Sequence, residues 1–170
     1  MSDARQTRRF RWRWLVLALL VIVADQVSKL LALLYLQPHQ PVPVFPTFDL
    51  MLTFNSGAAF SFLSDAGGWQ RWLFIALALG ISVFLLKWLF ALRADERWLA
   101  AALALVLGGA IGNLFDRVFR DGKVVDFVYL HYQNFHWPAF NIADSAICVG
   151  AVLLVAQSLF SPTIERQQNG

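Results

Sequence analysis

Long uninterrupted hydrophobic stretches dominate the pattern of polar and apolar positions along the chain. Four of them have roughly the 17–25 residues that an α-helix needs to cross the hydrocarbon core of a bilayer. The sequence therefore predicts a mainly α-helical integral membrane protein. Residues 1–170 are expected to form a single membrane domain, with transmembrane helices at approximately 14–35, 72–92, 98–115 and 142–160.

The connection between the first two predicted helices, approximately residues 36–71, has the pattern of a β-sheet. It opens with four prolines, which cannot continue a helix. The next segment alternates apolar with more polar side chains, which is typical of a strand whose apolar face carries Phe48, Leu50, Leu52 and Phe54. A turn signal at 55–57 then precedes a short run at 58–62.

A second long connection, approximately 116–141, contains a shorter candidate strand at 123–130. The two connections together predict a small β-sheet that lies on the membrane and is formed largely by the first of them. The expected fold is thus four transmembrane helices with a small β-sheet at one end.

Basic residues predict the direction of the helices across the membrane. The N-terminal tail, the 93–97 link and the C-terminal tail share one side and hold eight Lys and Arg residues, and Lys87 is a ninth. The positive-inside rule places both termini in the cytoplasm, so the sheet is expected to be extracytoplasmic. The first apolar run continues to Tyr35 without a small-residue cleavage site, which indicates a retained anchor rather than a signal peptide.

Composition strengthens the membrane interpretation and narrows the chemistry. Only 15% of the residues are charged and the mean hydropathy is +0.56, whereas about 25% of residues are charged in soluble domains. The net charge of +3 comes mainly from the N-terminal tail, so it indicates topology rather than nucleic-acid binding.

Cys148 lies in an apolar run and is expected to be a small buried thiol. Gly108 and Gly112 are spaced for close helix packing.

Polar residues within or beside the predicted helices collect at a single depth. A charge in mid-bilayer costs about 2.5–3.5 kcal/mol, so intramembrane ionisable groups usually pair or have a function. Several such groups at one level indicate a polar cavity open to the outer side. These residues are Asp25, Lys29, Asn55, Asn113, Asp116, Arg117, Asp126, Asn141 and Asp144.

Some of these groups have a simple structural interpretation. Asp25 and Lys29 are spaced i, i+4 and can neutralise each other, which favours an ion pair over a direct catalytic role. Asn113, Asp116 and Arg117 are close in sequence near the outer end of the third helix. A local network that fixes this helix end is the favoured interpretation.

Asp126 and Asp144 differ because neither has a cationic neighbour at helical spacing and both are flanked by apolar residues. If the outer loop brings them together, two carboxylates in one apolar site cannot both ionise, and one retains a proton. Such a pair can act as a base and an acid in peptide hydrolysis. From spacing alone an equally good interpretation is that Asp144 caps the fourth helix and Asp126 ends a turn.

Other catalytic chemistries have weaker support in the sequence. His39, His131 and His136 lie in the outer loops without a ligand cluster, which favours interfacial side chains over a metal site. Ser28 and Lys29 are adjacent, so on a helix they point about 100° apart and make a poor nucleophile pair. No cofactor is expected, since the sequence contains no phosphate-binding glycine-rich loop.

Two non-hydrolytic functions are open to a protein of this composition. A small transporter or proton channel also needs polar residues in the membrane, but its path should present them on both sides of the midplane. The inner halves of the predicted helices are almost purely apolar apart from Lys87 and Gln157. A non-catalytic assembly factor would use its glycine and aromatic faces to bind partner helices, and would tolerate Asn at both aspartates.

Five blocks of sequence are similar to a known family. In chain order they are Asp25-Gln26-Val27-Ser28-Lys29, Asn55-Ser56-Gly57-Ala58-Ala59-Phe60, Gly112-Asn113-Leu114-Phe115-Asp116-Arg117, Val124-Val125-Asp126-Phe127 and Phe140-Asn141-Ile142-Ala143-Asp144-Ser145. With these blocks the chain resembles bacterial lipoprotein signal peptidase (signal peptidase II), a family of aspartic membrane peptidases. The resemblance covers roughly residues 14–160.

The resemblance implies a reaction and roles for individual residues. It implies an endopeptidase that removes the signal peptide from diacylglyceryl-modified prolipoproteins, cutting on the N-terminal side of the lipid-modified cysteine. Asp126 and Asp144 would be the catalytic pair. Residues lining the site or binding substrate would be Asn55, Gly57, Asn113, Arg117 and Asn141. Supporting residues would be Asp25, Lys29 and Asp116, the last mainly by orienting Arg117.

The resemblance also implies the surroundings of the enzyme. Such a protein would lie in the bacterial inner membrane as a monomer, in contact with membrane lipids and a lipid-modified prolipoprotein, and would bind no nucleic acid. Its active site would face the periplasm, and the outer sheet would act as a cradle that clamps the substrate from above. It would need no metal and no nucleotide.

Overall fold

A computed structural model describes residues 2–57 and 67–160 of the chain, with side chains described from Phe10 onward. The predicted strand run at 58–62 lies outside the described residues. In chain order the elements are α1 (Ser2–Tyr35), β1 (Val42–Phe45), β2 (Phe48–Asn55), α2 (Gln70–Ala91), α3 (Arg97–Phe119), β3 (Val124–Tyr132), β4 (Phe135–His136) and α4 (Ile142–Phe160).

Four helices in the described part of the chain are long and apolar enough to cross a membrane, which confirms the predicted fold class. The shortest, α4, has 19 residues and is therefore about 28 Å long. Helix α3 continues to Phe119, beyond the apolar run that ends at residue 115. The polar residues Asp116 and Arg117 therefore lie within the last helical turns, before Gly122 turns the chain at a φ of +80°.

Helix α3 lies at the centre of the bundle. Half of its apolar window is buried, whereas the other helices bury 17–28% of theirs. The core around α3 includes Leu89 of α2 and Leu103 and Leu107 of α3. The remaining apolar surface of the helices faces outward, as expected for side chains that contact lipid.

Glycine allows α3 to approach its neighbours closely. A Cβ on Gly108 would lie 2.8 Å from the Ala18 carbonyl oxygen of α1, and a Cβ on Gly150 of α4 would lie 2.6 Å from Val106. Real side chains do not make such short contacts. The close helix packing predicted for the Gly108–Gly112 spacing is therefore present in the structure.

An antiparallel sheet with strand order β1-β2-β3-β4 lies at one end of the bundle. It combines both long connections, since β1 and β2 come from the first and β3 and β4 from the second. Leu52, Val125 and Phe127 are buried together with Ala32 of α1. This second apolar cluster attaches the sheet to the helices.

The strand predicted at 48–54 is present as β2, and its pairing with β3 contains a bulge. Phe48 and Leu50 pair with Leu130 and Val128, but the register then shifts, and Thr53 rather than Leu52 lies opposite Asp126. One extra residue in β2 therefore changes which residues of the two strands lie opposite each other beyond the bulge. Leu52 is buried at 2% exposure, and Leu50 packs against the same apolar cluster.

Candidate active site

The structure brings together all the polar residues that the sequence places at one depth. Helices α1 and α3 contribute one set, and β2, β3 and the start of α4 contribute the other. Several are fully buried, at 0–2% exposure: Asp25, Lys29, Asp116, Asp126 and Asn141. Buried polar groups need partners, and the pattern of partners defines the site.

Lys29 is the centre of the network. Its ammonium nitrogen lies 2.9 Å from the Asp25 carboxylate, which is the predicted i, i+4 ion pair, and 2.9 Å from the Asp116 carboxylate of α3. It also donates to Asn113 Oδ1 at 2.9 Å. An ammonium group has three donors, so each of them is used.

Asp25 connects three helices. Its Oδ1 accepts a hydrogen bond of 2.9 Å from the backbone N–H of Ala143, which belongs to the first turn of α4. A Cβ on Gly112 of α3 would lie 2.7 Å from Asp25 Oδ2. The absence of a side chain at position 112 therefore gives the Asp25 carboxylate its place between α1, α3 and α4.

Asp116 has different partners from those the resemblance implies. Its carboxylate binds Lys29 and Arg120, and it accepts a hydrogen bond of 3.0 Å from the backbone N–H of Val125. Arg117 points elsewhere and donates to the Gly57 carbonyl oxygen at 2.9 Å. Residues 116 and 117 are adjacent on a helix, so their side chains diverge. Asp116 therefore holds the start of β3.

Arg117 spans the site between α3 and Gly57, which lies two residues after the end of β2. Its guanidinium carbon lies 5.1 Å from the centre of the Phe74 ring of α2, in cation–π geometry. A longer contact of 3.5 Å reaches the Asn113 carbonyl oxygen. Gly57, predicted to line the site, contributes through its backbone carbonyl.

Two members of the network, Gln26 and Arg120, were not identified from the sequence. Gln26 donates to the Asp25 and Asp116 carboxylates at 3.0 Å each and accepts from Arg120 at 3.0 Å. Arg120 follows Asp116 by four residues, a spacing that signals a helical ion pair. Gln26 gave no comparable signal, because only the tertiary structure brings α1 beside the end of α3.

Two asparagines carry the network to the predicted acid pair. Since Lys29 donates to Asn113 Oδ1, the amide nitrogen of Asn113 is directed to Asp144, at 2.7 Å. The amide nitrogen of Asn141 donates to Asp126 at 2.6 Å, while its oxygen accepts from the Asp144 backbone N–H at 2.9 Å. Each carboxylate therefore has an asparagine donor, and the orientation of that asparagine is fixed by the hydrogen bond that its amide oxygen accepts.

Asp126 and Asp144 line the same cavity, which has a volume of about 850 Å³. Burial, and next the negative charge of Asp144, raise the pKa of Asp126 to about 7. The hydrogen bond from Asn141, the charge of Lys29 and a hydrogen bond from Asn55 act in the opposite direction. A carboxyl group with this pKa exchanges a proton readily near neutral pH, as acid–base catalysis requires.

The rest of the cavity wall is largely apolar. Phe54, Trp137 and Phe140 contribute aromatic surface, and Ile147 and Val149 of α4 line the opposite side. Cys148 also lines the cavity and is exposed, which corrects the prediction of a buried thiol. Its apolar neighbours in sequence were misleading because Cys148 lies on the side of α4 that borders the cavity, whereas Ile147 and Gly150 contact α3.

The histidines lie in the sheet region. His131 Nε2 is 3.2 Å from the Asp49 carboxylate, and His136 Nδ1 is 2.8 Å from the Tyr129 hydroxyl. Over residues 2–57 and 67–160, no group of three or more His, Cys, Asp or Glu side chains is arranged to hold a metal ion. Asp126 and Asp144 are the two carboxyl groups in the cavity lining, which also includes His39.

Comparisons with known proteins find one family over most of the chain. The sequence model of the family described as Signal peptidase (SPase) II matches residues 17–160. A lipoprotein signal peptidase of Teredinibacter turnerae is 53% identical over 154 residues, covering 91% of each chain. Another, from Pseudomonas aeruginosa, is 52% identical over 156 residues, covering 91% of this chain and 90% of the relative.

A solved structure has the same fold. It is described as a bacterial membrane enzyme determined by the in meso method at 2.3 Å resolution, and it aligns with a TM-score of 0.79 at 26% identity, covering 93% of this chain and 94% of that one. Family match, relatives and fold agree over most of the chain. The chain therefore belongs to the signal peptidase II family of aspartic membrane peptidases.

Proposed function

We propose that this protein removes the signal peptide from diacylglyceryl-modified prolipoproteins, cutting on the N-terminal side of the lipid-modified cysteine, with Asp126 and Asp144 as its catalytic pair. The observation that carries the proposal is the placement of both carboxyl groups in one largely apolar cavity, each bound by an asparagine amide. The lipoprotein signal peptidases among its relatives support the choice of substrate.

The pair would share one proton between two roles. The ionised carboxylate takes a proton from a water molecule, whose oxygen bonds to the scissile carbonyl carbon. The protonated carboxyl group donates to the carbonyl oxygen, which becomes the hydroxyl of a tetrahedral intermediate. When the C–N bond breaks, the leaving nitrogen receives the proton that the first aspartate took from water. The second aspartate takes back a proton from a hydroxyl of the intermediate, which becomes the new carboxyl group of the cleaved peptide. The two aspartates titrate together, so the proton belongs to the pair.

The apolar cavity wall supports a lipid-anchored substrate. Ile147 and Val149 of α4 line the cavity, and Val149 and Val152 are exposed on the same helix, where lipid chains would lie. A diacylglyceryl group in the bilayer would hold the adjacent peptide bond at the level of the two aspartates. The sheet would then cover the peptide from above.

The arrangement of charges supports an orientation with both termini in the cytoplasm and the site at the periplasmic face of the inner membrane. Arg93 lies in the connection between α2 and α3 and Arg97 begins α3, at the end of the bundle away from the sheet. The basic residues near the N-terminus lie at the same end, because α1 reaches the sheet with its C-terminal part. The positive-inside rule assigns that end to the cytoplasm. We further propose a monomer, folded as one membrane domain, since a single chain contributes every residue of the network.

The test is cleavage of a lipid-modified precursor by the purified protein in detergent. We expect Asp126→Asn and Asp144→Asn each to abolish cleavage while the protein still inserts and folds. Asp121→Asn is the matched control, because its side chain is 99% exposed and lies only five residues before Asp126. Retained cleavage in either variant would contradict the assignment of the pair, and full activity is expected for the control.

A further inference from the structure

The bulge in β2 changes which side chain accompanies Asp126. Leu50 pairs with Val128, and an unbroken antiparallel register would therefore place Leu52 opposite Asp126. The extra residue places Thr53 there instead. Side chains directly opposite each other in an antiparallel pair have Cβ atoms about 4.5–5.5 Å apart. The bulge therefore exchanges a leucine for a hydroxyl group beside Asp126.

The structure also holds the bulge in place. The Leu52 carbonyl oxygen accepts a hydrogen bond of 2.9 Å from the His39 backbone N–H, and residue 38 bridges to Leu52. The Leu52 side chain is buried beneath the sheet. Since both the backbone and the side chain of Leu52 are fixed, the position of Thr53 in the cavity wall is fixed as well.

The hydroxyl of Thr53 faces the cavity without a partner among residues 2–57 and 67–160. Several polar groups close to Thr53 in the cavity already have partners within the protein. Asn113 binds Lys29 and Asp144, Ser145 donates to the Asn141 carbonyl oxygen, and the hydrogen bonds to the Asp126 carboxylate come from Asn141 and Asn55.

A peptide that enters this cavity loses water from its backbone groups. An unsatisfied backbone N–H or C=O in an apolar site costs free energy comparable to a lost hydrogen bond. The aromatic and aliphatic parts of the wall offer no partner for such groups. A hydroxyl both donates and accepts, so it can satisfy either kind of backbone group.

We propose that Thr53 Oγ1 hydrogen-bonds the backbone of the precursor next to the scissile bond and so positions that bond against Asp126. The inference rests on the proposed function and adds a substrate-binding residue to it. On this proposal, the β2 bulge has a function: it places the hydroxyl of Thr53 opposite Asp126, where a regular register would place the Leu52 side chain.

The test compares Thr53→Val, which removes the hydroxyl at nearly constant volume, with Thr53→Ser, which retains it. One neutral hydrogen bond corresponds to a change of about three- to ten-fold. We expect Thr53→Val to lower kcat/KM for the lipid-modified precursor by that factor, mainly through KM, and Thr53→Ser to stay within about two-fold of wild type. Thr47→Val makes the same chemical change in the exposed turn outside the cavity and should leave activity unchanged.

Three outcomes would overturn the proposal. An unchanged kcat/KM in Thr53→Val would show that the hydroxyl contacts no substrate. Equal losses in the Val and Ser variants would assign the effect to packing of the methyl group. A displaced pH profile at constant KM would assign the hydroxyl to Asp126 instead.

A binding experiment separates this inference from the proposed function. Precursor affinity is measured with Asp126→Asn as the parent, so that no cleavage is required, and compared after adding Thr53→Val. A several-fold loss of affinity supports the substrate contact, and equal affinity refutes it. If the wild-type protein fails to cleave the precursor, the proposed function fails whatever this comparison shows.

Discussion

Asp126 is the residue at which burial has the clearest chemical consequence. The pKa of its carboxyl group is raised from 3.8 to about 7, first by burial and then by the charge of Asp144. The surrounding amides do not abolish this shift, because they compensate only part of the lost hydration. The protein thus keeps a proton available at neutral pH in a position where an exposed aspartate would be fully ionised.

This shift predicts a pH-dependent difference in stability between wild type and Asp126→Asn. Folding favours the protonated carboxyl group, so its stabilising contribution is complete below about pH 4 and is lost as pH rises through about 7. The difference can reach about 4 kcal/mol, since one pKa unit corresponds to about 1.4 kcal/mol.

The measurement is thermal unfolding in detergent at several pH values. The melting temperature of Asp126→Asn is expected to rise relative to wild type between pH 4 and pH 8. Asp121→Asn controls for the general effect of removing a carboxylate, because Asp121 is exposed. A difference that stays constant with pH would contradict the raised pKa.

At the scale of elements, the site depends on how closely α3 approaches α1. The contact between Gly112 and the Asp25 carboxylate sets this distance. Asp25 in turn holds the Ala143 N–H at the start of α4 and one side of Lys29. A shift of α3 would therefore disturb the asparagine that binds Asp144, although Gly112 itself does not line the cavity.

Gly112→Ala is expected to reduce cleavage strongly, because the new methyl group would lie 2.7 Å from Asp25 Oδ2. Gly80→Ala on α2 is the matched control, since a Cβ at that position meets nothing within 4 Å. Alanine is favoured over glycine in a helix by about 1 kcal/mol, so the control should be active and at least as stable as wild type. Wild-type cleavage by Gly112→Ala would show that α3 can move away without cost to the site.

For the whole molecule, the proposed orientation places the sheet and the aspartate pair outside and the α2–α3 connection inside. This connection contains Asp95, which is 72% exposed, while Asp121 lies at the opposite end beside β3. Both positions are accessible enough to carry a reporter. The single native cysteine, Cys148, can be removed to give a background without thiols.

In Cys148→Ser, we expect Asp121→Cys to react with a membrane-impermeant maleimide in intact spheroplasts. Asp95→Cys should react only after the membrane is permeabilised. The reverse labelling pattern would invert the orientation and place the aspartate pair on the cytoplasmic side.

The sequence by itself determined the features that depend on local composition. Helix spans follow from hydrophobic length, and the Asp25–Lys29 ion pair follows from i, i+4 spacing. The family and the aspartate candidates followed from the five sequence blocks. Each of these signals is contained in a short segment, so no tertiary information is needed to recognise it.

Only the tertiary structure decided how distant segments meet. Alternation predicted β2 as a strand, but its register against β3 contains a bulge that places Thr53 rather than Leu52 opposite Asp126. Likewise, Asp116 forms ion pairs with Lys29 and Arg120 rather than with Arg117, because α1 lies beside α3. Register and partner choice are set by contacts between segments remote in sequence, which no local pattern specifies.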